Sequence, residues 1–501
     1  MSQTFEKLKQ YIDKSMAYQT ALTLLHWDLE TLAPEESMNN TAKVIGLLSG
    51  EEFKSIINDD VRQLLEELGQ PKEQEMLSFN QKAIVKALTK SYEQMEHIPP
   101  EEYQAYGELT AKASAIWAKA KEANSFEDFR PTLSDIIAYQ KKFAGYRSKE
   151  GDKLYNLLLN DYEEGFSMEK LDAFFNKIKA AIIPLLKEVA AKQDSIDKSY
   201  NNLHYDKEKQ LNFAKFVSEY VGYDFKKGVL AESAHPFTTH LHNHDVRITT
   251  HIYENNLESS IFSVIHESGH GIYEMYVDDA ITMTPVGQGS SMGIHESQSR
   301  FYENIIGRSQ AFWTPLYPKL QETFPEQLSN VTLLQFVKGI NKAVPSLIRT
   351  EADELSYSLH IIIRYEIEKM LFEDEIKVED LPTVWNQKYE EYLGIEPETD
   401  SDGVLQDIHW SGGMFGYFPS YALGSAIAAQ LYYYMRSVMP LETYLKEGNL
   451  VPIREFLNNA IHKYGATKNT NELLMELMNE ELNADYYIKY LTEKYTKLYN
   501  L

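Results

Sequence analysis

Apolar residues recur at three- and four-residue spacing through most of the chain, which predicts a protein built mainly of helices. Near the start, Phe5, Leu8, Tyr11 and Ile12, then Leu22, Leu24 and Leu25, mark a helix over about 4–30. Ala33-Pro34 predicts its end, because proline disfavours helix in the residue before it. The same period runs through 76–124, in Ile84, Leu88 and Tyr92, then Tyr106, Leu109, Ala113, Ile116 and Trp117. Phe129-Arg130-Pro131 reads as an interruption, with helix resuming over 132–146. Ser167 reads as an N-cap with Lys170 at the third helical position, opening a helix that runs past Leu186.

The pattern then changes. Residues 194–210 are polar, carry Asn201-Asn202 and read as a linker. Val246-Arg247-Ile248-Thr249-Thr250-His251-Ile252-Tyr253 alternates in polarity and is β-branched, which predicts a strand. An extended peptide can hydrogen-bond along the open edge of such a strand; the plainer expectation is a two- or three-stranded ribbon. Residues 284–291 read as a loop, with Pro285, Gly287 and Gly289. Helical spacing returns at about 296–307, 331–372, 380–393, 420–437 and beyond 452, with Gly412-Gly413 and Gly416 marking a flexible turn. The fold class expected is mainly α, with a small sheet around 246–253. No internal repeat or low-complexity tract interrupts this picture.

Composition narrows the chemistry. Of 501 residues 43% are hydrophobic, enough for a large core, and none is cysteine. Disulfides, thiolate ligands and a cysteine nucleophile are thereby excluded. A net charge of −26, from 75 acidic and 49 basic residues, argues against nucleic acid and anionic membrane as partners. No apolar run approaches bilayer length, and Met1-Ser2-Gln3-Thr4-Phe5-Glu6-Lys7 leads into a charged amphipathic pattern, so the expected location is cytoplasmic. Thirty-four tyrosines suit grooves with apolar walls and polar tips.

The chemistry concentrates in Ile265-His266-Glu267-Ser268-Gly269-His270. Residues four apart share a helix face, so His266 and His270 are spaced to grip one metal ion, with Glu267 beside it as a base. A catalytic zinc usually takes a third protein ligand and keeps one open position. Ile294-His295-Glu296-Ser297-Gln298-Ser299-Arg300 supplies two candidates, Glu296 and His295. Glu296 is favoured, since a glutamate some tens of residues after the motif is a recurring layout. A third histidine close behind His270 is absent from Gly271-Ile272-Tyr273-Glu274. Glu303 is placed to orient a ligand imidazole, or is a solvated helix residue.

Six ordered motifs carry a resemblance. They are His235-Pro236-Phe237, Asp245-Val246-Arg247-Ile248-Thr249, His266 to His270, and His295-Glu296-Ser297-Gln298. Ile348-Arg349-Thr350-Glu351-Ala352-Asp353 and Gly403-Val404-Leu405-Gln406-Asp407-Ile408-His409-Trp410 complete the set. The chain resembles the Taq-type thermostable metallocarboxypeptidases, relatives of the neurolysin and angiotensin-converting enzyme group of zincins. Weaker likeness reaches His26-Trp27-Asp28 and Ala33-Pro34, so it spans nearly the whole chain. The resemblance implies a large two-lobed helical homodimer with a deep central groove, and a cut one residue from a peptide's C-terminus. It also implies one divalent metal per chain, zinc or cobalt, held by His266, His270 and Glu296, with Glu267 as the base. The expected layout is one catalytic unit over 1–501: a helical lobe at 1–200, the metal-site region at 211–430, and C-terminal helices at 431–501 packing back.

An exopeptidase must read a free carboxylate, which suits the planar fork of arginine. Arg349, expected on a helix, is the first candidate, Arg247 on the strand the second and Arg300 the third. The oxyanion formed in peptide hydrolysis needs further donors, for which His409, Tyr417 and Tyr421 flank the glycine-rich turn. Neurolysin-like relatives use a similar segment of His followed by Tyr. His235, Asp245 and Gln406 are further candidates for the groove wall, although His235, preceding a proline, equally suits a turn and Asp245 a brace for the strand. The activity expected is zinc-dependent removal of the C-terminal residue from short peptides with broad specificity. Its alternatives are an oligopeptidase cutting internal bonds and a non-catalytic helical scaffold that keeps a metal for structure.

Overall fold

The computed structural model describes residues 2–501. Helices dominate, with one three-stranded sheet among the described residues. Ser2 caps the first helix, Gln3–Thr31, by accepting the Phe5 N–H, and Pro34 follows its end as expected. Ser167 likewise caps Met168–Ala190 through the Lys170 N–H. The apolar period over 76–124 breaks into Phe79–Met95 and Pro100–Glu122, because Pro99-Pro100 forces an extended backbone between them. Pro131 interrupts nothing. It lies inside Phe126–Arg147, early enough that the helix forgoes only one hydrogen bond near its start.

The core divides in two. Phe5, Leu8 and Ile12 of the first helix join Val61, Leu65, Ile84, Leu88, Val277, Ile281 and Val286 in a smaller cluster. Most buried apolar residues from Ala113 onward belong to the larger one, which continues to Tyr499, whereas Val277, Ile281 and Val286 return to the smaller. The expected lobe over 1–200 thus holds residues of both clusters.

Residues 194–210 are no free linker. Tyr200 and Tyr205 are 5% and 0% exposed, and Asn201 Oδ1 accepts the Glu258 N–H at 2.9 Å. That contact joins the N-cap, Asn256, in satisfying the first turn of Leu257–Met275, hereafter the motif helix. A polar stretch reads as a linker, but here its asparagine is a helix anchor.

The sheet lies against the motif helix. Its strands are β1 (Gly228–Glu232), β2 (Thr238–His242) and β3 (Asp245–Thr250), in the order β1-β3-β2. β3 pairs parallel with β1 and antiparallel with β2, with a bulge between His240 and His242. The predicted strand is thus the central one and has no open edge; the free edges belong to β1 and β2. Val246 and Ile248 are fully buried, contributing about 1.5–3 kcal/mol each. No helix among the described residues is long and apolar enough to cross a membrane.

Candidate active site

The motif helix is buried nearly all round, so its polar residues persist only where partners meet them. The helix Met292–Arg300, hereafter the ligand helix, packs against it at Gly269, where a Cβ would lie 2.7 Å from Ser299 Cα. A third helix, Pro419–Val438, presses on the ligand helix at Gly424, where a Cβ would lie 2.6 Å from Glu296 Cβ. Ser291 caps the ligand helix through the Ile294 N–H, and buried Glu163 accepts the Gly293 N–H at 2.5 Å. Glu296 is thereby fixed from three sides.

His266, His270 and Glu296 form a potential metal-binding cluster, their ligand atoms lying within 4.8 Å of one another. Glu296 Oε2 is 3.6 Å from His266 Nε2 and 3.3 Å from His270 Nε2. Ligands about 2.0–2.2 Å from a tetrahedral ion sit roughly 3.3–3.6 Å apart. Two imidazole nitrogens and one carboxylate oxygen at this spacing fit a divalent metal that retains an open position.

The remaining atoms of these side chains are committed elsewhere. His266 Nδ1 meets Glu303 Oε2 at 2.8 Å, a contact that suits the first of the two readings of Glu303, and Glu303 is buried rather than solvated. His270 Nδ1 meets His295 Nδ1 at 2.5 Å, and His295 Nε2 meets Glu274 Oε1 at 2.7 Å. Both ring nitrogens of His295 are therefore already partnered, Nδ1 by His270 and Nε2 by Glu274, and it lies outside the cluster. Burial pushes the His270 imidazole down to about 3, which keeps it neutral with a lone pair available to a metal. Burial opposes ionisation of Glu296, but Arg300 and the imidazoles outweigh it and hold the carboxyl well below the usual range. Arg300 donates from Nε to Glu296 at 2.7 Å and from Nη1 to Glu303 at 3.0 Å. Its fork serves the metal-site carboxylates, not a substrate.

Glu267 Oε2 accepts the hydroxyl of Thr238, on edge strand β2, at 2.6 Å. Burial pushes its carboxyl up, strengthening it as a proton acceptor.

Arg247 lies on β3 as expected, whereas Arg349 does not lie on a regular α-helix. Arg349 sits in a short turn, Arg349–Glu351, ahead of the helix Glu354–Phe372, because the loop over 341–348 ends the earlier helix. Its Nε and Nη2 both reach Asp407 Oδ1, at 3.0 and 2.8 Å, while Nη1 has only the Tyr357 hydroxyl at 3.3 Å. The guanidinium carbon lies 5.0 Å from the Tyr421 ring centre. Arg247 forks onto Asp245, at 2.8 and 2.9 Å, and faces the Trp27 ring. That pair braces β3. Gln406 accepts from Arg349 N and Arg364 Nη2, and its amide faces three further acceptors, so no group is left for a substrate. The His235 ring is exposed, and its carbonyl accepts Ser233 Oγ, which fits a turn residue.

His409, Tyr417 and Tyr421 do come together. His409 Nε2 and the Tyr421 hydroxyl are 3.2 Å apart, and the two tyrosine rings meet edge-on at 5.2 Å. Burial lowers the His409 imidazole to about 4, so it is a neutral hydrogen-bonding group. Thr238, Glu274 and Gly424 were missed by the sequence reading. For Glu274 the signal was its position four residues after His270, on the same helix face.

Comparison with known proteins places this geometry. The family model described as carboxypeptidase Taq (M32) metallopeptidase matches residues 7–495. Carboxypeptidase 1 of Bacillus subtilis is 44% identical over 97% of this chain and 96% of its own length. Thermostable carboxypeptidase 1 of Thermus thermophilus is 34% identical over 97% of both. The crystal structure of M32 carboxypeptidase from Deinococcus radiodurans R1 covers 100% of both chains at TM-score 0.96 and 32% identity. A putative oligoendopeptidase F, at TM-score 0.60 and 12% identity over 99% of this chain and 96% of its own, shares the fold alone. The chain belongs to the carboxypeptidase Taq (M32) family of metallopeptidases and is a metallocarboxypeptidase, a hydrolase of peptide bonds.

Proposed function

We propose that the chain is a zinc-dependent carboxypeptidase that removes the C-terminal residue of short peptides with broad side-chain specificity. The observation that carries this reading is the convergence of His266 Nε2, His270 Nε2 and Glu296 Oε2 beside a buried Glu267 that lies outside the cluster and hydrogen-bonds Thr238. Zinc, or cobalt in its place, supplies Lewis acidity at such a site, activating water and polarising a carbonyl. Glu267 takes the proton of the attacking water and delivers it to the leaving amine nitrogen. Thr238 holds the Glu267 carboxylate in position throughout. A non-catalytic scaffold has no use for a base there.

Register comes from Arg349. Its Nη1 edge is the least committed part of the guanidinium, and pairing with a terminal carboxylate leaves only the last peptide bond in reach. The free edge of β2, which carries Thr238, offers backbone hydrogen bonds to the peptide upstream of the cut. His409 and Tyr421, with Tyr417 beside them, donate to the oxyanion. The family likeness extends the reading to a two-lobed homodimer with a deep groove, acting in the cytoplasm as one catalytic unit.

Amidating the C-terminus of a short peptide substrate lowers kcat/KM on the order of 10²- to 10⁴-fold, because the Nη1 edge of Arg349 loses the carboxylate it would pair with. Equal turnover of free and amidated forms refutes the exopeptidase reading and favours an oligopeptidase.

A further inference from the structure

Behind the oxyanion donors lies a carboxylate that the mechanism has not used. Glu368, on Glu354–Phe372, is fully buried and more than two turns from any residue given a role above except its helix neighbour Arg364. Three donors converge on it. Trp410 Nε1–H reaches Oε1 at 2.7 Å, while the Gly416 N–H and the Tyr155 hydroxyl reach Oε2 at 2.8 and 2.7 Å.

Two of those donors stand at the ends of one loop. Trp410 directly follows His409, and Gly416 directly precedes Tyr417. A single carboxylate therefore pins both ends of the glycine-rich turn, joining them across its neck. The Trp410 and Phe415 rings, stacked 6.0 Å apart, fill the space inside. We propose that Glu368 is a positioning residue: it fixes the turn so that His409 and the tyrosines that follow hold one geometry against the substrate carbonyl. The inference rests on the reading of those residues as oxyanion donors.

The chemistry suits an ionised carboxylate. Burial pushes the group up to about 7, and the Gly416, Trp410 and Tyr155 donors, with Arg364 one turn away, oppose that rise. Two N–H groups and a hydroxyl meet its two oxygens, and burying a charge is tolerated only where hydrogen bonds of this kind meet it. The turn expected from its glycines to be flexible is in this way tied down at both ends.

Glu368→Gln tests the assignment at nearly constant volume. The amide keeps one acceptor oxygen but sets an N–H₂ against the donor on the other side, opening the neck at one point. The expected result is faster hydrogen exchange at Gly416, a fall in kcat of roughly 10- to 100-fold, KM within about twofold, and full metal content. In a His409→Ala, Tyr421→Phe background the same substitution still speeds exchange but lowers kcat little further. Unchanged exchange at Gly416 overturns the brace, and an equal fall in kcat in both backgrounds overturns its action through the donors. If the double background itself keeps wild-type kcat, the donor reading fails, and Glu368→Gln then speeds exchange without touching kcat. Should Glu368→Gln not fold, Trp410→Phe removes one donor with the carboxylate intact, and a smaller change of the same kinds is expected; wild-type exchange and kcat there overturn the proposal.

Discussion

Replacing Glu267 with Gln leaves the metal content of the protein unchanged and lowers kcat by about 10²- to 10⁴-fold, the usual worth of a general base. The two halves of this result come from different atoms. The Glu267 carboxylate points to Thr238 Oγ1 at 2.6 Å and contributes nothing to the cluster of His266, His270 and Glu296. The amide of Gln has the same shape and still accepts the Thr238 hydroxyl, so packing and metal uptake persist. What it lacks is a site for the proton of the attacking water. Metal analysis and steady-state kinetics on one preparation measure both halves. Full turnover in this variant moves the base to another residue, and loss of metal assigns Glu267 to the cluster.

Glu296→Ala removes one of three ligands, and the expected loss of metal affinity exceeds the roughly 10- to 100-fold typical of an orienting partner. Activity disappears with the metal. The change also strips Arg300 of a partner at 2.7 Å, and that side chain is only 16% exposed. A largely buried cation left with Glu303 as its remaining partner, in place of two carboxylates, destabilises the fold, so the metal-free variant melts below the metal-free parent. Glu296→Gln separates the effects, since it retains a hydrogen-bond acceptor for Arg300 while weakening the ligand. Unchanged metal stoichiometry in Glu296→Ala contradicts the assignment and returns His295 as the third ligand.

Helix existence was legible where the apolar period was strong, as over 4–30, and where a capping side chain stood at its start, as at Ser167. The metal cluster was legible because few residue types bind a metal and the His spacing fixes a helix face. Position relative to other elements was not. Nothing in Val246 to Tyr253 tells a central strand from an edge strand, since both sides of β3 are bonded through backbone groups that carry no sequence signal. His295 and Glu296 are chemically equivalent candidates until the Nδ1 contact with His270 shows which is spent. Arg349, Arg247 and Arg300 all suit a carboxylate. Only their partners, Asp407, Asp245 and the metal-site glutamates, separate them. Gln406 shows the same lesson from the other side, its conspicuous motif position reflecting a packed hydrogen-bond network rather than an open binding group.

The central claim, that one metal site in this chain cuts single residues from the C-terminus, is tested most directly by mass spectrometry of products from a ladder of short unblocked peptides. Zinc-loaded protein of measured stoichiometry is predicted to release one amino acid at a time from the C-terminal end, leaving each N-terminal fragment whole. Internal fragments, or no product from any peptide in a mixed pool at one metal per chain, contradict the account.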